Sequence, residues 1–142
     1  MYSSEEILVV GDTAASVTIF NATFKSHYCE LTPQLSTVTD ISFAKIYNQP
    51  HILVSLVNFN QGSSSLYAIN LLSFESFLVL SCKSGIFSKL IAVYDKVLVG
   101  VDEQGVMIYS SDNYGTPIGR IPILGRVHSL FGTEAHGLVM VG

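Results

Sequence analysis

Residues 95–110, DKVLVGVDEQGVMIYS, set a short apolar run, a polar turn and a second short apolar run in succession. That pattern is a β-hairpin, and the chain writes it repeatedly. The first apolar run appears as ILVVG ending at Gly11, HILVS ending at Ser55, KVLVG ending at Gly100 and GLVMVG ending at Gly142, in steps of 44, 45 and 42 residues. A second run follows the first three: SVTIFN (16–21), SLYAIN (65–70) and GVMIYS (105–110). Each closes on an apolar or aromatic residue and then a small polar one: Phe20-Asn21, Ile69-Asn70 and Tyr109-Ser110. A third echo precedes three of the hairpins: STVTDI from Ser36, GIFSKL from Gly85 and GRVHSL from Gly125. It is apolar at its third and sixth places, which are Val38 and Ile41, Phe87 and Leu90, and Val127 and Leu130. FLVLS (77–81) and IGRIPIL (118–124) each leave room for a further strand. Only INLLSFESFLVL (69–80) tempts a helical reading, and its continuous apolar run Phe77–Leu80 reads better as a buried strand.

Four short strands at a period in the low forties predict an all-β fold of four-stranded antiparallel propeller-blade repeats. A lone sheet of this kind buries neither face, whereas stacked blades bury both. That also explains runs that are apolar throughout instead of alternating. The expected units are 1–35, 36–84, 85–124 and 125–142 of a single domain. They amount to about three blades, fewer than the four to eight of closed propellers. The expectation is therefore a fragment, an open arc, or a ring completed by further blades or by other chains, a homo-oligomer among them. A compact sandwich of about thirteen strands, with the echo arising by chance, is the competing architecture.

Composition sharpens this picture. Charged residues make up 13 % of the 142 and hydrophobic residues 49 %, against about a quarter charged in ordinary domains. Many apolar residues must be covered on both sheet faces, or part of the surface must be covered by something else. The formal net charge of −4, with no cluster of Lys and Arg able to track phosphates, argues against nucleic acid. ILVV (7–10) and FLVL (77–80) are far too short to span a bilayer as helices. Glu5 and Glu6 stand where a secretory signal would carry positive charge, so a cytoplasmic chain, or one cut from a larger protein, is expected. Cys29 and Cys82 are then expected reduced and at least partly buried.

Residues 85–142 resemble the quinoprotein-like, or PQQ-type, propeller repeat: a small residue, an apolar pair, a DK or HG turn, VLVG, an acidic-Gly turn, an apolar strand, then a Gly and an outer strand. Residues 36–84 match more loosely, with the longer turn NFNQGSS. The register is also similar to degenerate WD repeats, and a propeller of this kind closes adenylation enzymes of the aminoadipate-semialdehyde dehydrogenase type. The resemblance implies a fold and not a cofactor. The Trp that the PQQ-type repeat carries on its outer strand is absent, because the chain has no Trp. The WD dipeptide is replaced by Phe20-Asn21 and its counterparts.

Candidate chemistry is sparse. Asp12, Asp102 and Glu103 lie in the turns GDTAAS and VDEQG, where a rim ligand site competes with plain turn formation. His27, His51, His128 and His136 share no zinc-ligand spacing with cysteine, although His128 and His136 fall on or near successive strands. No G-x-S-x-G elbow occurs, neither cysteine carries a sign of activation, and VVGDTAAS is followed by a strand and not by a phosphate-binding helix. The sequon NAT (21–23) matters only in a secreted chain.

The expected function is a non-enzymatic protein-interaction or scaffolding module with no cofactor. The alternative is a fragment or accessory propeller of a quinoprotein-like or adenylation enzyme, which would need a charged central funnel. Binding is expected on loops 11–16, 58–64 and 101–105 and on the sheet-joining loops 32–37, 82–85 and 123–127. Partner contacts are expected at Asp12, Asp102 and Glu103, with Tyr47, Phe59 and Tyr114 as aromatic anchors.

Overall fold

The computed structural model of the chain describes residues 8–11, 16–20, 26–31, 36–133 and 138–141. These residues form thirteen strands and no helix. In order they are β1 (Leu8–Gly11), β2 (Ser16–Phe20), β3 (Ser26–Glu30), β4 (Thr37–Ile46), β5 (Gln49–Asn58), β6 (Ser63–Asn70) and β7 (Ser76–Cys82). Then come β8 (Phe87–Val93), β9 (Lys96–Val101), β10 (Gly105–Ser110), β11 (Gly119–Ile121), β12 (Leu130–Thr133) and β13 (Leu138–Val141).

Consecutive strands pair antiparallel into four up-and-down sheets: β1-β2-β3, β4-β5-β6-β7, β8-β9-β10-β11 and β12-β13. Short connections between successive strands favour this arrangement. The sheets lie face to face in chain order, and side-chain parity shows it. On β5, Ile52, Val54 and Leu56 pack with Val17, Ile19 and Cys29 of the first sheet. Leu53 and Val57 pack with Phe87, Leu90, Val97 and Val99 of the third. On β9, Leu98 turns the other way, towards Val127. The middle strands are therefore buried on both faces, which is why VLVGV and, but for the buried His51 and Ser55, HILVSLV read as apolar throughout.

The first strands of neighbouring sheets also meet: β4 packs against β8, and β8 against β12, while β1 packs on β4. The approach is close. A Cβ on Gly11 would stand 2.6 Å from Val38 Cγ1, and one on Gly100 3.1 Å from Val127 Cβ. Gly11 and Gly100 close equivalent apolar runs, and Val38 and Val127 hold the third place of the echo. Gly11 is thus the seat of β4, the first strand of the next sheet, and Gly100 the seat of the segment that leads into β12.

The second and third sheets share a further detail. β4 bulges between Val38 and Asp40, and β8 between Phe87 and Lys89. The extra residues are Thr39 and Ser88, both at the fourth place of the echo. The Ser88 hydroxyl donates to the Gly100 carbonyl at 3.3 Å, and the Thr39 hydroxyl lies 3.4 Å from the corresponding Ser55 carbonyl while giving its proton to the Phe87 carbonyl at 2.8 Å.

Three expectations from the sequence need adjustment. Phe77–Leu80, expected as a buried strand, lies on the edge strand β7 with Phe77 and Leu78 exposed. β4 runs well past its echo, to Ile46, because SFAKI continues to pair with β5. Of GRVHSL only Leu130 is in a strand. Gly125 turns the chain with φ +92°, and Arg126 is drawn to Asp102 at 3.3 Å.

Candidate functional site

An up-and-down sheet sends its connections alternately to two ends. Turns 59–62 and 102–104 and the sheet-joining segments 83–86 and 122–129 share one end. Turns 47–48, 71–75, 94–95 and 111–118 share the other. Of the loops expected to bind, 58–64, 82–85, 101–105 and 123–127 all fall on the first end. Most of 11–16 and 32–37, with Asp12, lies outside the described residues, as do the sequon at 21–23 and His136.

The first end is bonded into one surface. The Gly85 N–H donates to the Gly62 carbonyl at 3.0 Å, and the Asp102 N–H to the Ile86 carbonyl at 3.0 Å. The Ser64 hydroxyl donates to the Gly85 carbonyl at 2.6 Å and accepts the Phe87 N–H at 3.0 Å. Glu103, at φ +66°, donates its N–H to the Gly125 carbonyl at 2.7 Å, and its Oε2 accepts the Gly125 N–H at 3.2 Å. The Gln104 side chain donates to the Ser84 carbonyl at 3.0 Å. Glu103 therefore acts locally, tying turn 102–104 to the segment that leads into β12.

A mouth of about 300 Å³ opens in this surface, lined by Thr39, Phe59, Ile86, Ser88, Lys89, Asp102, Arg126, Val127 and His128. Asp102 Oδ2 accepts the Arg126 Nε–H at 3.3 Å, while Asp102 Oδ1 is buried without a hydrogen-bond partner among the described residues. The Lys89 ammonium and the His128 ring have none either. Phe59 is exposed beside them.

Tyr47 and Tyr114 lie at the opposite end. Tyr47, at φ +48°, donates its N–H to Asp112 Oδ1 at 2.7 Å and its hydroxyl to the Asp112 carbonyl at 3.0 Å. That links the β4–β5 turn to the segment after β10. Tyr114 is half-buried against Tyr109, their ring centres 6.0 Å apart, and its hydroxyl is buried with no partner among the described residues. Burial, with the Asp112 charge adding to it, holds this phenol above its ordinary range. A larger groove of about 670 Å³ opens at this end, with Phe43, Pro50 and Tyr94 on its walls. Its charged lining is Lys45 with Asp95 and Asp112. Of these, Asp95 is paired with Lys96 and Asp112 is occupied by Tyr47.

The six residues singled out from sequence thus divide. Phe59, Asp102 and Glu103 come together, Tyr47 and Tyr114 stand at the far end, and Asp12 is outside the described residues. Sequence reasoning missed Lys89 and Arg126 and weighed His128 only as a metal ligand. The signal lay in the echo itself: Lys89 and His128 occupy polar places between the apolar third and sixth, and Arg126 the place just before the third.

Remaining histidines have local roles. His27 stacks on Phe74 at 4.1 Å. Buried His51 has Nδ1 at 2.9 Å from the Gln49 carbonyl and meets Phe77 edge-on. Among the described residues no group of three or more His, Cys, Asp or Glu side chains could hold a metal. No family model matches the chain, and no curated protein matches it.

Proposed function

We propose that the chain is a non-enzymatic protein-interaction module whose sheets are propeller-type blades and whose working surface is the end carrying the 102–104 turn. The observation that supports it most is the equivalence of the second and third sheets. Each places a bulge at the same echo position, with the hydroxyl of the bulged residue beside the corresponding carbonyl of the next strand. Each also meets its neighbour through first strands. Sheets that stack through their first strands bring one set of turns and joining segments to a common end, where functional loops gather on a rigid scaffold. The reading keeps the fold implied by the resemblance to quinoprotein-like repeats and assigns it no cofactor.

The test is site-specific photo-crosslinking in cells producing the full chain. A photoreactive amino acid at Phe59 should give discrete protein adducts. The same probe at Thr116, on the opposite end, should give none. Equal labelling from both positions, or none from Phe59, would contradict the proposal.

A further inference from the structure

We infer that the mouth bounded by Lys89, Arg126 and His128 receives the carboxylate of an acidic residue in a partner protein, with a neighbouring apolar side chain of that partner against Phe59 and Ile86. The inference rests on the interaction reading above and gives it a partner chemistry.

Charge is the first argument. The chain carries only seven Lys and Arg in 142 residues and a net charge of −4. Two of those seven, with a histidine, nonetheless converge on one opening of about 300 Å³. The one acid among them, Asp102, is committed through Oδ2 to the Nε side of Arg126. That bond orients the guanidinium and leaves its terminal NH2 groups for an incoming oxygen pair, a geometry suited to carboxylate. Lys89 follows the β8 bulge, a device that re-aims side chains. Its ammonium has no partner among the described residues.

The shape supplies the second argument. Phe59, Ile86 and Val127 give the same mouth an apolar wall, and Phe59 is 59 % exposed. A charged contact beside a desolvating aromatic is how a partner's acidic residue gains both orientation and affinity. The opening is too small, and its cations too few, to follow a nucleic-acid backbone. The groove at the other end has the opposite balance, with Lys45 facing Asp95 and Asp112, so an acidic segment is directed to this end alone.

The probe is an array of short peptides, each with a central Asp or Glu between apolar residues, beside the same array with Asn or Gln at the centre. It is read with the full chain and with Lys89→Gln and Arg126→Gln, both at half-buried or exposed positions. The acid-centred peptides should bind and their amide counterparts should not. Each variant should weaken binding about fivefold, the scale of a solvent-accessible charge pair, and added salt should weaken wild-type binding. Equal binding of acid and amide peptides would overturn the inference. So would unchanged binding in both variants, or a preference for inorganic phosphate or anionic vesicles offered as competitors. Phe59 crosslinks that persist undiminished in Lys89→Gln and Arg126→Gln would remove the acidic-residue contact and leave the interaction module standing. Absence of crosslinks in the wild type would remove the module itself.

Discussion

Asp40, on the first strand of one sheet, accepts the backbone N–H of Leu90, on the first strand of the next, through Oδ2 at 2.9 Å. Its other oxygen accepts the Ile41 N–H at 2.9 Å. Close by, the Ser42 hydroxyl accepts the Ala92 N–H at 3.2 Å and the Thr39 hydroxyl donates to the Phe87 carbonyl at 2.8 Å. β8 is the edge of its sheet, and an edge strand offers unpaired backbone groups that invite wrong pairing. Here three side chains from β4 take up those groups, so the two edges are joined without merging into one sheet. Asp40→Ala should cost about 2 kcal/mol, the scale for removing a charged acceptor from partly buried amides. Asp40→Asn, which keeps one acceptor oxygen, should cost about half as much, with urea unfolding as the measure.

Gly100 faces Val127 so closely that a Cβ would meet it at 3.1 Å. Gly100→Val should therefore overpack the seam between the third sheet and the segment entering β12, at about 1–3 kcal/mol. Combining it with Val127→Ala should recover part of that loss. A double-mutant cycle in thermal unfolding measures the coupling. Strictly additive losses would mean that the two residues do not share the space.

The same two residues show how much could be read in advance. Val127 at the third place of the echo and Gly100 at the end of VLVG were visible as recurring positions, as were the doubly buried middle strands. What the pattern did not reveal was that the two recurrences touch, because a sequence period carries no information on which units pack face to face. Lys89, Arg126 and His128 stayed hidden for a related reason. They come from β8 and from the segment after β11, and only the stacking of first strands brings them to one opening. Glu103 was legible as a turn residue. Its bond to the Gly125 amide, which serves the fold, was not.

Tyr114 carries a buried hydroxyl without a partner among the described residues. Its phenol is held above the ordinary value by burial first and by Asp112 second. Tyr109 is shifted the same way, by burial first and then by Cys82. The folded chain therefore keeps protons that the unfolded chain releases above about pH 10, so stability should fall as pH rises through that region. Tyr114→Phe should be neutral or stabilising by about 1 kcal/mol at neutral pH, since it removes an unsatisfied group. It should also flatten the alkaline decline. Unfolding midpoints from pH 7 to 11 check both statements.

Cys29 is buried, and burial pushes its thiol above the ordinary range. Cys82 is only partly covered, beside Gly85. Since the thiolate is the reactive form and must be reached, iodoacetamide should label Cys82 first and Cys29 only on unfolding. Peptide mass mapping over time distinguishes the two.

Neighbouring sheets stack through their first strands, and the shared end of turns and joining segments exists only if they do. Amide hydrogen exchange by NMR tests it at Leu90 and Ala92. Those edge amides should exchange as slowly as the ladder amides of β9, and Leu90 should lose protection in Asp40→Ala before the sheet itself opens. Free exchange at Leu90 and Ala92 in the wild type, at rates of an open edge strand, would contradict the stacking and with it the shared end.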